Sequence, residues 1–256
     1  MTGRIARGLL ALIEAPYAAA VRHRNRRYDR GAAETLSVPV PVISVGNLTL
    51  GGTGKTPMVK WIARWLANRG VRAALISRGY GGDRGGQNDE ALELAQALPD
   101  TPHVQNADRV AAAHHAIREF GAEALLLDDA FQHRRIARDL NIVLLDATEP
   151  FGFGRVFPRG MLREPVEGLS RADVVCLTRS DLVDSWLRTR TRDEAMRLAP
   201  DAIWCEASHE PAGLITAKGD QRSLAELQGR RVAAFCGIGN PAAFRRTLEA
   251  AGCDVA

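Results

Sequence analysis

The run Thr49-Leu50-Gly51-Gly52-Thr53-Gly54-Lys55-Thr56 has the residue types of a phosphate cradle. Glycines reach backbone conformations closed to other residues, so successive N–H groups can converge on phosphate oxygens. A helix starting directly after the loop would add the positive end of its dipole. Lys55 is then placed for the β- and γ-phosphates of a nucleotide such as ATP, and the Thr56 hydroxyl for its Mg²⁺. The run departs from the GxxxxGK[ST] pattern at its first position, where Thr49 stands for glycine. The sequence holds only three lysines (55, 60 and 218) among 34 basic residues. A composition that avoids lysine still puts one at the phosphate-binding position.

Such a loop needs carboxylates for the metal shell, usually at a strand's carboxyl end. Leu125-Leu126-Leu127-Asp128-Asp129 offers two adjacent acids that would repel one another, which favours a metal or water-positioning role. Asp146, after another apolar run, suits a site acid and a turn cap equally. Asp89 fits two roles equally well: a general base for a hydroxyl nucleophile, or with Asn88 the cap of the helix that follows. His133, inside Phe131-Gln132-His133-Arg134-Arg135, and Arg109 are candidates for contacting phosphate or sugar, against ordinary structural roles. Thr178-Arg179-Ser180-Asp181 sits where GTPases carry NKxD, but lacks its Asn and Lys. ATP is therefore favoured over GTP.

Alternating strands and helices must position these residues. The pattern predicts strands at 40–45, 71–77, 124–128, 141–146 and 173–178. It predicts helices at 57–69, 90–97, 107–119 and around 191–198. Strand–helix alternation implies crossovers and a mainly parallel sheet, hence an α/β fold with a P-loop NTPase core. Residues 4–27 read as an N-terminal amphipathic helix, apolar first and arginine-rich after. Beyond about 205 the pattern changes to short strand-like pieces and a helix over 241–251, the start of a smaller second α/β lobe. The predicted units are 1–31, 32–205 and 206–256.

With 46% hydrophobic residues in 256, the chain can bury a core, which excludes general disorder. Charge is concentrated at one end. Residues 1–31 hold seven arginines against Glu14 and Asp29, while the rest is close to balanced. A uniformly basic nucleic-acid surface is thereby disfavoured, and no nucleic-acid partner is expected. Cys176, Cys205, Cys236 and Cys253 form no CxxC pair, so neither a zinc framework nor a disulfide scaffold is indicated, and a reducing cytosol suits them. Arg4 and Arg7 before Leu9–Ile13 mimic a secretory signal, but Glu14 interrupts the apolar run, which is shorter than a bilayer requires.

Taken together, these runs resemble the tetraacyldisaccharide 4′-kinase family of lipid A biosynthesis. The matching segments are 44–57, Ser77–Gly82, Asn88-Asp89-Glu90, Asp108-Arg109, Asp128–His133, Pro150–Gly152, Pro158–Pro165 and Gly237–Pro241. The resemblance implies transfer of the γ-phosphate of ATP to the 4′-hydroxyl of a tetraacyldisaccharide 1-phosphate, the lipid A disaccharide precursor, making lipid IVA. It implies Asp89 as catalytic base, with Asp128, Asp129 and Glu164 serving Mg²⁺ and its water. It also implies Arg109, His133 and Arg163 as active-site residues. An acylated substrate puts the work at the membrane surface, on the cytoplasmic face of the inner membrane, where the basic N-terminal helix would rest. The family's second lobe supplies a histidine in a Pro-Asp-His-His run that is missing here, so the chain is expected to be either a piece of a longer protein, the favoured reading, or a shortened protein.

Two rival readings carry different chemistry. One is a membrane-associated nucleotide switch resembling the deviant-Walker ATPases, whose signature lysine is Leu50 here. The other is a kinase of a soluble metabolite, with the N-terminal helix merely structural.

Overall fold

A computed structural model describes residues 2–79, 89–208, 210–237 and 241–256, without the side chains of 2–9, 89–91 and 243. The chain opens with helix α1 (Thr2–Asp29). Then come β1 (Val42–Asn47), α2 (Lys55–Ala67), β2 (Ala73–Ser77), α3 (Asp89–Ala97), β3 (His103–Gln105), α4 (Arg109–Phe120) and β4 (Ala124–Asp128). The sheet is completed by β5 (Leu140–Asp146), β6 (Val174–Thr178) and, after α5 (Ser185–Leu198), β7 (Ile203–Ala207). These seven strands form one sheet in the order β3-β2-β4-β1-β5-β6-β7, every pair parallel.

Parallel strands joined by helices need both faces covered, and the leucines of β4 meet that need by alternation. Leu126 packs with Leu75, Leu144 and the α2 residues Val59, Ile62 and Leu66. Leu125 and Leu127 pack with Ile76 and the α4 residues Val110, Ala113 and Ala116 on the other face. Helix α4 begins where the Asp108 carboxylate accepts from Val110 N and Ala111 N, and ends at Gly121 in the left-handed region.

All the predicted strands up to β6 are present within two residues of their expected ends. Two strands went unpredicted, β3 and β7, both at sheet edges. β3 has only three half-buried residues, and β7 is half-exposed, so neither carries a continuous apolar run. Helix α5 starts six residues before its predicted start because Asp184 caps it, accepting from Leu187 N. After β7 the chain forms β8 (Leu214–Ile215) with β9 (Gln221–Arg222), then β10 (Arg231–Val232) alongside β11 (Asp254–Val255), with α6 (Pro241–Ala250) between them.

Helix α1 lies on the core through buried Ala18 and Val21. Polar bonds fix its register. Tyr17 Oη donates to Arg163 O at 3.0 Å, Asn25 Nδ2 donates to Glu164 Oε2 at 2.7 Å, and Arg134 bonds both Asn25 O and the Asp29 carboxylate. No helix among the described residues is long and apolar enough to cross a membrane.

Candidate active site at the carboxyl edge of the sheet

Parallel α/β sheets bind ligands beyond the carboxyl ends of their strands, near where strand order reverses. β1 stands at that point, between β4 and β5. Its last residues lead into the glycine loop, and the loop runs directly into α2 with Lys55 as its first residue. Gly51 and Gly54 take φ of 106° and 83°, which L-residues rarely adopt. Gly46 has a different reason: a Cβ there would sit 2.6 Å from Phe131 Cβ and 2.8 Å from Phe131 N. The absent side chain lets the segment after β4 close over β1.

The loop is anchored on several sides. Thr49 and Thr53 are buried. Thr178 Oγ1, at the end of β6, reaches Thr53 O at 2.9 Å. Leu50 N donates to Met161 O at 2.6 Å, and Arg163 N donates to Leu48 O at 2.7 Å. Lys55 Nζ lies 3.3 Å from Asn47 Oδ1 and 3.6 Å from Asp129 Oδ1.

The two acids after Leu127 part company. Asp128 is buried at the end of β4, level with Val45 of β1. Asp129 turns into the left-handed region at φ 49° and presents its carboxylate to Lys55 and to Arg163, whose Nη1 is 2.8 Å from both oxygens. Burial pushes the Asp129 carboxyl upward, but the Lys55 and Arg163 cations outweigh it and hold the group below its usual range. Asp129 is therefore an anion near neutrality.

Arg138, which no motif marks, shapes the next turn. Its guanidinium donates to Ala130 O, Phe131 O and His133 O, clamping the backbone that carries His133. Burial, with the Arg171 and Arg134 cations, draws Arg138 down to about 10, still charged near neutrality. His133 is held below its ordinary value by burial and by the Arg109 and Arg138 cations, so its imidazole is neutral at pH 7. Its Nδ1 is buried without a hydrogen-bond partner.

These groups surround one cleft of about 570 Å³, lined by Leu50, Arg78, Arg109, Asp129, His133 and Arg163, with Tyr17, Val21 and Arg24 of α1 closing one side. The α1 residues were not singled out from sequence. Their i, i+4, i+7 spacing was the available signal, since it places them on one helix face. Asp89 opens α3 and its side chain lies outside the described residues, as do Asn88 and the Tyr80-Gly81-Gly82 part of the glycine loop. Asp146 takes the capping role: it accepts from Thr148 N and Oγ1 and pairs with Arg179.

Glu164, which the resemblance assigns to Mg²⁺ and its water, sits in a dense polar network. It is fully buried. Arg171 Nη2 bonds both of its oxygens at 2.8 Å, Gln132 Nε2 donates to Oε1 at 3.0 Å and Asn25 Nδ2 to Oε2 at 2.7 Å. Those four bonds engage both carboxylate oxygens. Glu164 ties together α1, the segment after β4 and the Arg171 turn.

The donors suit a nucleotide with Mg²⁺. The loop offers backbone amides, a lysine and a helix start to phosphates. The metal would have the Thr56 hydroxyl and the Asp128 and Asp129 carboxylates. Among the described residues no three His, Cys, Asp or Glu side chains form a metal cage. Mg²⁺ is commonly held in this way, by one or two carboxylates together with substrate phosphates.

A parallel α/β sheet with a glycine loop entering a helix at Lys55, and paired acids on the neighbouring strand, defines a P-loop nucleotide-binding protein. Residues 6–256 match the family model described as tetraacyldisaccharide-1-P 4′-kinase, LpxK, and the chain belongs to that family. It is 42% identical over 275 residues to the tetraacyldisaccharide 4′-kinase of Anaeromyxobacter sp. (strain K), covering 99% of this chain and 71% of that protein. It is also 42% identical to the enzyme of that name from Geobacter metallireducens, covering 100% of this chain and 78% of the relative. The crystal structure of Aquifex aeolicus LpxK in complex with ATP superposes with a TM-score of 0.79 at 30% identity, covering 98% of this chain and 80% of that one.

Proposed function

We propose that this chain is an ATP-dependent lipid kinase that phosphorylates the 4′-hydroxyl of a tetraacyldisaccharide 1-phosphate, yielding lipid IVA in lipid A biosynthesis. The observation that carries this reading is the shared cleft, in which the phosphate-loop edge faces Tyr17, Val21 and Arg24 of α1. Phosphoryl transfer here would occur against a helix suited to a lipid surface.

Phosphoryl transfer depends on positioning and charge neutralisation more than on covalent help. The amides of 49–54 and the start of α2 hold the β- and γ-phosphates, and Lys55 neutralises the charge that develops on them. Thr56, Asp128 and Asp129 would hold Mg²⁺, which would supply further positive charge against that of the phosphates. Asp89 takes the proton of the acceptor hydroxyl. Arg163 fixes Asp129 and adds positive charge. Arg109 contacts phosphate, and neutral His133 orients the sugar. Glu164 acts by positioning, through Gln132 and Asn25.

The three predicted units have distinct duties under this reading. Residues 1–31 form a basic interfacial helix, 32–205 the kinase core, and 206–256 part of a C-terminal lobe. The protein works as a peripheral protein on the cytoplasmic face of the inner membrane.

A labelled-ATP assay with tetraacyldisaccharide 1-phosphate in detergent tests the proposal. Label should move to the lipid. Asp89→Ala should lower kcat far more than it raises the KM for ATP. ATP hydrolysis without transfer would support a nucleotide switch instead and overturn the proposal.

A further inference from the structure

The segment 151–163 has features that the phosphate site does not explain. Phe153 is 67% exposed and adopts φ 61°, so an aromatic ring is held in water on a left-handed backbone. Phe157 is 49% exposed. Neither position is slack. Glu149 Oε1 accepts from Phe153 N at 2.9 Å, Gly154 N donates to Phe151 O, and Phe157 N donates to Leu162 O. A Cβ at Gly152 would lie 2.9 Å from Leu162 N, and one at Gly160 would lie 2.3 Å from Arg155 O, so the turn closes only with glycine at both places.

The same segment is fastened to α1. The Phe157 and Tyr17 rings meet edge to face at 6.3 Å, Glu14 accepts from Val156 N at 3.2 Å, and Arg159 pairs with Glu14 at 3.3 Å. On α1 itself Leu12 and Ile13 are 72% and 58% exposed. Apolar side chains of two elements thus stand exposed where those elements are bonded together, with exposed Arg155 and Arg159 among them. Aromatic and aliphatic side chains interleaved with arginine fit the headgroup boundary of an anionic bilayer, and the bonded junction makes the surface continuous with α1.

We propose that the 151–159 turn is a second membrane-docking element, inserting Phe153 and Phe157 into an anionic lipid surface beside α1. The inference rests on the reading of the acceptor as a membrane-held glycolipid. It adds a consequence. Met161 N donates to Gly152 O and Leu50 N to Met161 O, so the turn that would enter the membrane is two hydrogen bonds from the phosphate loop. Docking would hold that loop at a fixed height above the lipid.

The test uses Phe153→Gly, which removes the ring while suiting the left-handed backbone, so folding should be retained. Phe153→Trp serves as the conservative control. Co-sedimentation of the full chain with vesicles of phosphatidylcholine and phosphatidylglycerol should weaken about tenfold for Phe153→Gly and hold for Phe153→Trp. Kinase activity on acceptor in vesicles should fall in parallel, while activity on acceptor in detergent should persist. Unchanged vesicle binding by a folded Phe153→Gly would overturn the inference. Loss of activity in detergent by the unaltered chain would instead overturn the proposed function, so the two failures are distinguishable.

Discussion

One nitrogen of Arg163 bonds both carboxylate oxygens of Asp129 at 2.8 Å, so the acid after β4 is oriented by the segment that also holds the phosphate loop. Together with Lys55, this cation keeps Asp129 ionised against the effect of burial. Removing it should raise the Asp129 pKa. Arg163→Met is therefore expected to lose about a hundredfold in kcat/KM and to shift the acid limb of its pH profile toward neutrality. Arg163→Lys should keep most of the limb in place. An unmoved acid limb in Arg163→Met would show that Asp129 does not govern it.

Glu164 separates a structural role from a metal role. Glu164→Gln leaves the buried Arg171 guanidinium without its counter-charge, and breaking such a pair costs about 3–5 kcal/mol. Thermal unfolding should fall by roughly 10 °C for a chain of this size. The Mg²⁺ concentration giving half-maximal activity should not change. Retained stability with a steep rise in Mg²⁺ demand would place Glu164 at the metal after all. Gly168→Ala offers a second approach, because its Cβ would lie 2.7 Å from Glu164 Oε2 and force the pair apart.

Arg138 is a positioning residue for the His133 turn. Arg138→Ala removes the donor shared by three carbonyls and should cost about 3 kcal/mol, with kcat reduced more than the KM for ATP is raised. Arg138→Lys should recover part of both. Lost stability with normal kcat would confine Arg138 to a scaffold role.

Burial also depresses His103, whose Nε2 lies 2.8 Å from Ser77 Oγ, and His133 is lowered for the reasons given above. In the unfolded chain both titrate near 6.5, so below that value the unfolded state binds more protons than the folded one. Stability is complete above about pH 6.5 and declines as pH falls toward the folded-state values. Thermal melts between about pH 7.5 and pH 5 should show this decline, and it should be smaller in His103→Asn. A flat profile would mean that the folded state accepts these protons as readily as the unfolded one.

The chemistry was legible because it is local in sequence. The glycine loop, Lys55 and Asp128-Asp129 lie next to apolar strand runs, so spacing marked them, whereas His133 was raised above a structural role only by the resemblance. Tertiary partners were not legible. Only the resemblance singled out Glu164, and nothing local shows that Asn25, 139 positions away, and Arg171 bond its oxygens. Arg138 looked like one of many arginines, since nothing local marks a guanidinium that caps carbonyls. The α1 wall of the cleft escaped for a similar reason. A helix face can be read from spacing, but what it faces depends on Tyr17 meeting Arg163, a contact across 146 residues.

The central claim is that Lys55 and the loop before it pass a phosphate from ATP to the 4′-hydroxyl of an acylated disaccharide 1-phosphate. The most direct measurement is phosphorus NMR of the lipid product, which locates the new phosphate on the sugar, made with the unaltered chain and with Lys55→Ala. A second phosphate monoester at the 4′ position, absent with Lys55→Ala, is the predicted result. A phosphate at another hydroxyl, or an equal yield from Lys55→Ala, would contradict the account.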